Sequence, residues 1–127
     1  GETFSATKSG KVLWRNNIQS SSRLVVSGNS AFYVSNNSLI GRINSKNGKI
    51  VFLKEFAGKK RVKYYGPLLL QNKLLVLATD KNAYWFSPED GRLLKKEKLG
   101  KKISSPPVVV NKRLMFVSED GMLNILN

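Results

Sequence analysis

The sequence predicts an all-β protein, a β-propeller fragment of about three four-stranded antiparallel blades, on three observations. Short apolar runs alternate with Asn, Asp, Pro and Gly turn signals, as in antiparallel meanders. No run is long enough, or periodic enough at i, i+3 and i+4, to favour a helix. One four-run pattern recurs with a period near 40, and a repeat of that length built from four strands is a propeller blade. One small twisted sheet cannot bury its apolar faces alone, so blades stack on each other.

The 127 residues give room for one domain, read as a single partial propeller. Residues 1–19 read as the outer strand of a preceding blade: a strand end near Phe4, a polar turn closing on Gly10-Lys11, and a new apolar strand over 11–15. Residues 20–58 read as a blade with strands near 23–27, 31–35, 39–44 and 50–55, turning at Gly28-Asn29 and Asn36-Asn37. Residues 59–100 form the next, with strands near 67–70, 74–79, 83–87 and 93–97. Its turns are Asn72-Lys73, Asp80-Lys81-Asn82 and 88–92. Residues 101–127 make an incomplete blade. It starts at Pro106-Pro107-Val108, continues over 113–118, turns at Glu119-Asp120-Gly121 and runs over 122–126, with no outer strand.

Two offsets tie these units together. Downstream the pattern repeats at 39 residues: Pro106 matches Pro67, Asn111-Lys112 matches Asn72-Lys73, and Phe116 matches Leu77. Upstream it repeats at 43: Asn29 matches Asn72, Ile43 matches Phe86, and Gly48 matches Gly91.

Composition removes several chemistries. There is no cysteine, hence no disulfide or thiolate, and no histidine, hence no imidazole base or ligand. The apolar runs are too short to cross a bilayer as helices. The net charge is +14, with 16 Lys against 6 Arg and 12 Asn. A joint excess of Lys and Asn is what an AT-rich genome gives without selection for a ligand, whereas base-reading proteins lean on Arg.

The turn Ser9-Gly10-Lys11 followed by Val12-Leu13-Trp14 resembles the pyrroloquinoline-quinone-like repeat, whose pattern closes a turn on Gly-Lys and sets an aromatic three residues later. Asn47-Gly48-Lys49-Ile50-Val51-Phe52 keeps the aromatic as Phe, and Asp90-Gly91-Arg92-Leu93-Leu94-Lys95 lacks it. In such repeats the aromatic docks neighbouring blades. The ending Asp120-Gly121-Met122-Leu123-Asn124-Ile125-Leu126-Asn127 resembles the close of the BamB family of outer-membrane assembly lipoproteins. That resemblance implies the C-terminal portion of a larger ring, placed at the periplasmic face of the bacterial outer membrane and attached there only through a lipid anchor outside this chain. It implies a non-catalytic scaffold whose partner is a BamA-like barrel subunit or another assembly component.

The same repeat also occurs in quinone-dependent dehydrogenases, which need clustered acidic and amide oxygens for calcium, an aspartate base and a stacked tryptophan. Here the eight acids are Glu2, Glu55, Asp80, Glu89, Asp90, Glu97, Glu119 and Asp120, and most fall in turns, where Asp serves the turn itself. Trp85 is expected to pack its blade. The expectation is therefore no catalytic residue, no cofactor and no metal.

Basic residues flank both blade-to-blade connections: Lys54, Lys59, Lys60, Arg61 and Lys63 at one, and Lys95, Lys96, Lys98, Lys101 and Lys102 at the next. A propeller brings these near one rim, a candidate surface for anions, nucleic acid or lipid headgroups, or a partner. Tyr64, Tyr65 and Trp85 lack an accompanying RNA-binding motif, so nucleic acid is not the expected partner. Three blades do not close a ring, and apolar end faces predict self-association, with 11–15 of one chain completing the last blade of another.

Overall fold

In a computed structural model, residues 3–6, 12–16, 24–35, 37–57 and 61–126 are described, the first two segments as backbone strands. No helix occurs among them. Strands β1 (Thr3–Ala6) and β2 (Val12–Asn16) pair antiparallel. Blade 1 is β3 (Val25–Ser27), β4 (Ser30–Val34), β5 (Leu39–Asn44) and β6 (Ile50–Glu55). Blade 2 is β7 (Tyr64–Leu70), β8 (Lys73–Ala78), β9 (Asn82–Phe86) and β10 (Leu93–Lys98). Blade 3 is β11 (Val108–Val110), β12 (Arg113–Val117) and β13 (Leu123–Leu126). Each blade is a meander in which consecutive strands are hydrogen-bonded neighbours. The chain is thus an all-β propeller segment with PQQ-like repeats.

The pleat explains the stacking. On a strand, successive side chains point to opposite faces. In β8, Leu74, Val76 and Ala78 join Phe32, Val34, Ile40 and Phe52 of blade 1, together with Tyr84 and Phe86, in one core. The alternate residues Leu75 and Leu77 join Ile103, Leu114 and Phe116 on the blade 3 side. Leu74, Leu75, Val76 and Leu77 are all fully buried. β8 is therefore sandwiched, which is why its sequence is a continuous apolar run rather than an alternating one.

Two expectations are corrected by the pairing. The downstream offset is 40 residues in the structure, not 39. Leu70 pairs with Lys73 across the first hairpin of blade 2, and Val110 pairs with Arg113 across the equivalent hairpin of blade 3. The two-residue turns, Gln71-Asn72 and Asn111-Lys112, all have φ between 51° and 64°, the geometry of a type I′ hairpin turn. Asn111 therefore matches Gln71, and the buried Pro107 rather than the exposed Pro106 matches the buried Pro67. A one-residue slip would turn every side chain of β12 to the wrong face. The observed register sends Leu114 and Phe116 toward blade 2, as Leu74 and Val76 face blade 1. The second correction concerns the leading strand, which is not a lone outer strand: β2 pairs with β1 along its length. Its inner edge is taken, so exchange of 11–15 alone into another chain would first break that pairing. Lys11 itself lies outside the described residues.

Blade 1 and blade 2 fill equivalent positions with opposite size choices. In blade 2, Val76 of β8 stands opposite Tyr84 of β9. In blade 1, Tyr33 of β4 stands opposite Gly41 of β5. A Cβ on Gly41 would lie 2.2 Å from the Tyr33 ring, so only glycine lets the ring cross the strand there. Tyr33 is fully buried and, among the described residues, its hydroxyl has no hydrogen-bond partner. Burial pushes its phenol up to about 12. The Tyr84 hydroxyl instead donates to Asp80 Oδ2 at 2.5 Å. Burial and then this bond raise the Tyr84 phenol above its ordinary value.

Candidate interaction faces

Stacked meanders leave two ends. The hairpin face carries the turns β3–β4, β5–β6, β7–β8, β9–β10 and β11–β12. The connection face carries the turns β4–β5, β8–β9 and β12–β13 and the chain segments that pass between blades. Blades 1 and 2 build their turns on these faces with the same local chemistry.

On the hairpin face, the four-residue turns after β5 and β9 are built alike. Gly48 N–H donates to Asn44 O at 2.8 Å and Asn44 N–H to Lys49 O at 2.8 Å; Gly91 N–H donates to Ser87 O at 2.9 Å and Ser87 N–H to Arg92 O at 2.9 Å. Asn47 and Asp90 each accept the amide two residues on, at 2.9 and 3.0 Å. That backbone bond, before the Arg92 and Lys54 charges, holds the Asp90 carboxyl below the usual carboxylate range.

Gly91, with φ of 75°, also joins the blades: an added Cβ would lie 2.6 Å from two carbons of the Phe52 ring. The aromatic that follows the Gly-Lys turn of blade 1 thus seats on the equivalent turn of blade 2. Beside it, Arg42 donates through Nη1 to Pro88 O at 3.0 Å and through Nε to Ser30 Oγ at 2.9 Å, with its guanidinium 5.7 Å from the Phe32 ring centre. Between blades 2 and 3 the corresponding residues are Trp85 and Lys95, which line a groove of about 350 Å³ with Lys73 and Lys112. Trp85 donates to Glu97 Oε1 at 3.3 Å, and Lys95 lies 3.4 Å from Glu97 Oε2.

The connection face holds most of the basic residues singled out by sequence. Arg61, Lys63, Lys98 and Lys102 are exposed and Lys101 is half-buried there. Lys101 Nζ lies 3.0 Å from Asp120 and Lys102 Nζ 3.3 Å from Glu119. Lys63 Nζ sits 5.0 Å from the Tyr65 ring centre. Lys59 and Lys60 lie outside the described residues. Lys95 and Lys96 point to opposite sides of β10, Lys95 beside Glu97 and Lys96 with its Nζ 5.8 Å from the Tyr84 ring centre. Lys95 stands at the hairpin end of that strand, so it does not share a rim with Lys98, Lys101 and Lys102. Tyr64 is buried and bonded at 2.6 Å to Ser38 Oγ, in ring contact with Phe56, so it presents no stacking surface.

Sequence reasoning missed a second set. Lys46, Lys49, Lys73, Arg92, Lys112 and Arg113 all stand exposed at the hairpin face. The signal was present, because Lys73 and Lys112 follow turn asparagines, but those residues were read only as turn markers. Lys81, also exposed, adds to the connection face.

The three aspartates hold turns. Asp80 accepts Asn82 N–H at 3.1 Å as well as the Tyr84 hydroxyl. Asp120 accepts the Ser118 hydroxyl, Lys101, and Met122 N–H at 3.2 Å. Those bonds, the hydroxyl first, hold its carboxyl down at about 2. Among the described residues, no three Asp or Glu side chains gather in the way a calcium site needs.

The family described as outer membrane protein assembly factor BamB matches residues 3–94. BamB from Moraxella catarrhalis superposes with a TM-score of 0.80 at 16% identity, over 92% of this chain and 35% of that one. The computationally designed protein Ika4 superposes at 0.72 and 13% identity, over 92% of this chain and 72% of its own. The WD40 domain of SCAP from fission yeast superposes at 0.64 and 14% identity, over 91% of this chain and 34% of that one. The chain spans about a third of the BamB it matches. No curated protein matches the sequence.

Proposed function

We propose that this chain, which belongs to the family of the outer membrane protein assembly factor BamB, is a rigid, non-catalytic segment of a scaffold that binds protein partners during outer-membrane protein assembly. The family match over 3–94 is the observation that carries this reading. On this reading the chain works at the periplasmic face of the outer membrane, with a barrel subunit of BamA type or another assembly component as the partner.

The packing supports a scaffold. The facing sides of adjacent blades are consumed by the shared cores, and Phe52, Gly91, Arg42 and Pro88 lock the first joint. A partner is left the turns of the two end faces, the outer strands β6 and β10, and the outward side of blade 3 with Val117, Leu123 and Ile125. The residues a quinone-dependent enzyme would need are engaged otherwise: Trp85 is bonded to Glu97, and Asp80, Asp90 and Asp120 hold turns. The test is titration of the folded chain against the purified periplasmic domains of a BamA-type subunit. Saturable binding in the micromolar range is expected. Silence at about 100 µM, some −5.5 kcal/mol on the affinity scale, would overturn the partner assignment.

A further inference from the structure

We infer that the hairpin face is a docking surface for anionic phospholipid headgroups. This inference stands independently of the protein-partner reading and rests on how the +14 charge is distributed. Lys46, Lys49, Lys73, Arg92, Lys112 and Arg113 occupy the tips of hairpins in all three blades, and the acids of that face are Glu89 and Asp90. Among the described residues, Lys46, Lys49, Lys73, Lys112 and Arg113 make no ion pair. At the opposite end, Lys54, Arg61, Lys63, Lys81, Lys98, Lys101 and Lys102 meet Glu55, Asp80, Glu119 and Asp120, and Lys59 and Lys60 lie outside the described residues. Two of those lysines are paired. Among the described residues, the cations without an ion-pair partner therefore gather on the hairpin face, six cations against two carboxylates, where the connection face sets seven against four.

The form of the array selects the ligand. The cations stand at the tips of separate turns, with Lys73 and Lys112 beside the open groove between blades 2 and 3, and four of the six are lysines on long, mobile stems. Converging arginines suit one phosphate held by paired donors. Dispersed lysines over a flat end suit a fluid charged surface, where each cation finds its own headgroup.

The experiment is binding of the chain to phosphatidylglycerol-containing vesicles and to neutral phosphatidylcholine vesicles at 0.15 M salt. Two triple variants are compared: K73Q/K112Q/R113Q on the hairpin face and K98Q/K101Q/K102Q on the connection face. Each headgroup-facing cation contributes about fivefold, so the first variant is expected to lose roughly 100-fold. The second is expected to change little. A blade strand of about five residues puts the faces roughly 17 Å apart, about two screening lengths at that salt. The charge-conserving variant K73R/K112R checks folding and should retain binding.

Equal loss from both triples would overturn the inference, since net charge alone would then be acting. Equal binding to neutral vesicles would do the same. So would displacement by millimolar inorganic phosphate at constant ionic strength, which reports a discrete phosphate site. Polyglutamate binding that exceeds vesicle binding would reassign the face to an acidic polypeptide.

Discussion

Replacing Gly91 tests whether blades are joined through the repeated turn. Two costs meet at this position. An alanine at φ of 75° takes a left-handed conformation at about 1–2 kcal/mol. Its methyl would also lie 2.6 Å from two Phe52 ring carbons, and forcing a packed ring aside costs a further 1–3 kcal/mol or so. Gly91→Ala should therefore destabilise by about 3 kcal/mol in total. Gly121 and Gly100 supply the control, because their φ values are 80° and 77° and an added Cβ meets nothing within 4 Å. Alanine there should cost only the conformational ~1–2 kcal/mol. Truncating the ring as well, in Phe52→Ala/Gly91→Ala, removes the clash. The double variant should thus fall short of the summed single effects by about 2 kcal/mol. Urea unfolding followed by tryptophan fluorescence and by circular dichroism reads the wild type and the five variants, Phe52→Ala included. Equal costs at Gly91 and Gly121, together with additivity of the Phe52 and Gly91 changes, would refute the joint.

Other outcomes follow from single groups. Tyr33→Phe removes a fully buried hydroxyl that lacks a partner among the described residues and should stabilise by about 1 kcal/mol. Tyr84→Phe, which breaks the bond to Asp80, should destabilise by a similar amount. Because the folded-state Tyr33 phenol lies at about 12 against an ordinary 10, its contribution is complete below pH 10. It is lost as pH rises through 12, so Tyr33→Phe should blunt alkaline unfolding in that window. Asp120 shifts the opposite way, to about 2. Its contribution is complete above its unfolded value near 3.8 and fades as pH falls through 2, so Asp120→Asn should flatten acid unfolding between about pH 4 and 2. The outward side of blade 3 exposes Val117, Leu123 and Ile125. Light scattering across a dilution series should show self-association that Ile125→Lys weakens, and a monomer at all concentrations would refute that use of the face.

The fold was legible because its two signals are local. Asn, Gly and Asp turn residues set the hairpins, and the apolar runs of four to six residues between them are too short for helices and read as strands. β5 and β6 were read to the residue from turns at Asn44–Lys49. Register was less legible. Asn111-Lys112 looks like Asn72-Lys73 in letters, yet the positive-φ pair of blade 2 is Gln71-Asn72. Letter matching ranked the asparagine above the apolar phase, whereas burial of Leu114 and Phe116 fixes the phase. The candidate site was half legible. Runs such as Lys101-Lys102 stand out in sequence, and there the neighbours Glu119 and Asp120 compensate them. The uncompensated cations are scattered, at Lys46, Lys49, Lys73 and Lys112-Arg113, and only the common hairpin end brings them together.

This contrast bears on where function can reside in such a chain. A propeller blade spends both faces on its neighbours, so a mutation at Leu75 or Val76 reports on stacking whatever the partner. Variation that changes binding without loosening the stack is confined to positions the cores do not use. At the joint between blades 1 and 2 those positions are already occupied, with Phe52 on Gly91 and Arg42 on Pro88. At the next joint the same two places hold Lys95 and Trp85, and the groove they line stays open beside Lys73 and Lys112. The repeat has therefore exchanged a docking aromatic for a cation on the face where charge is least balanced. Introducing Lys95→Phe should restore an aromatic at the blade 2 position and lower vesicle binding modestly, by about fivefold for one cation. Unchanged binding would mean that Lys95, held by Glu97, takes no part in that face.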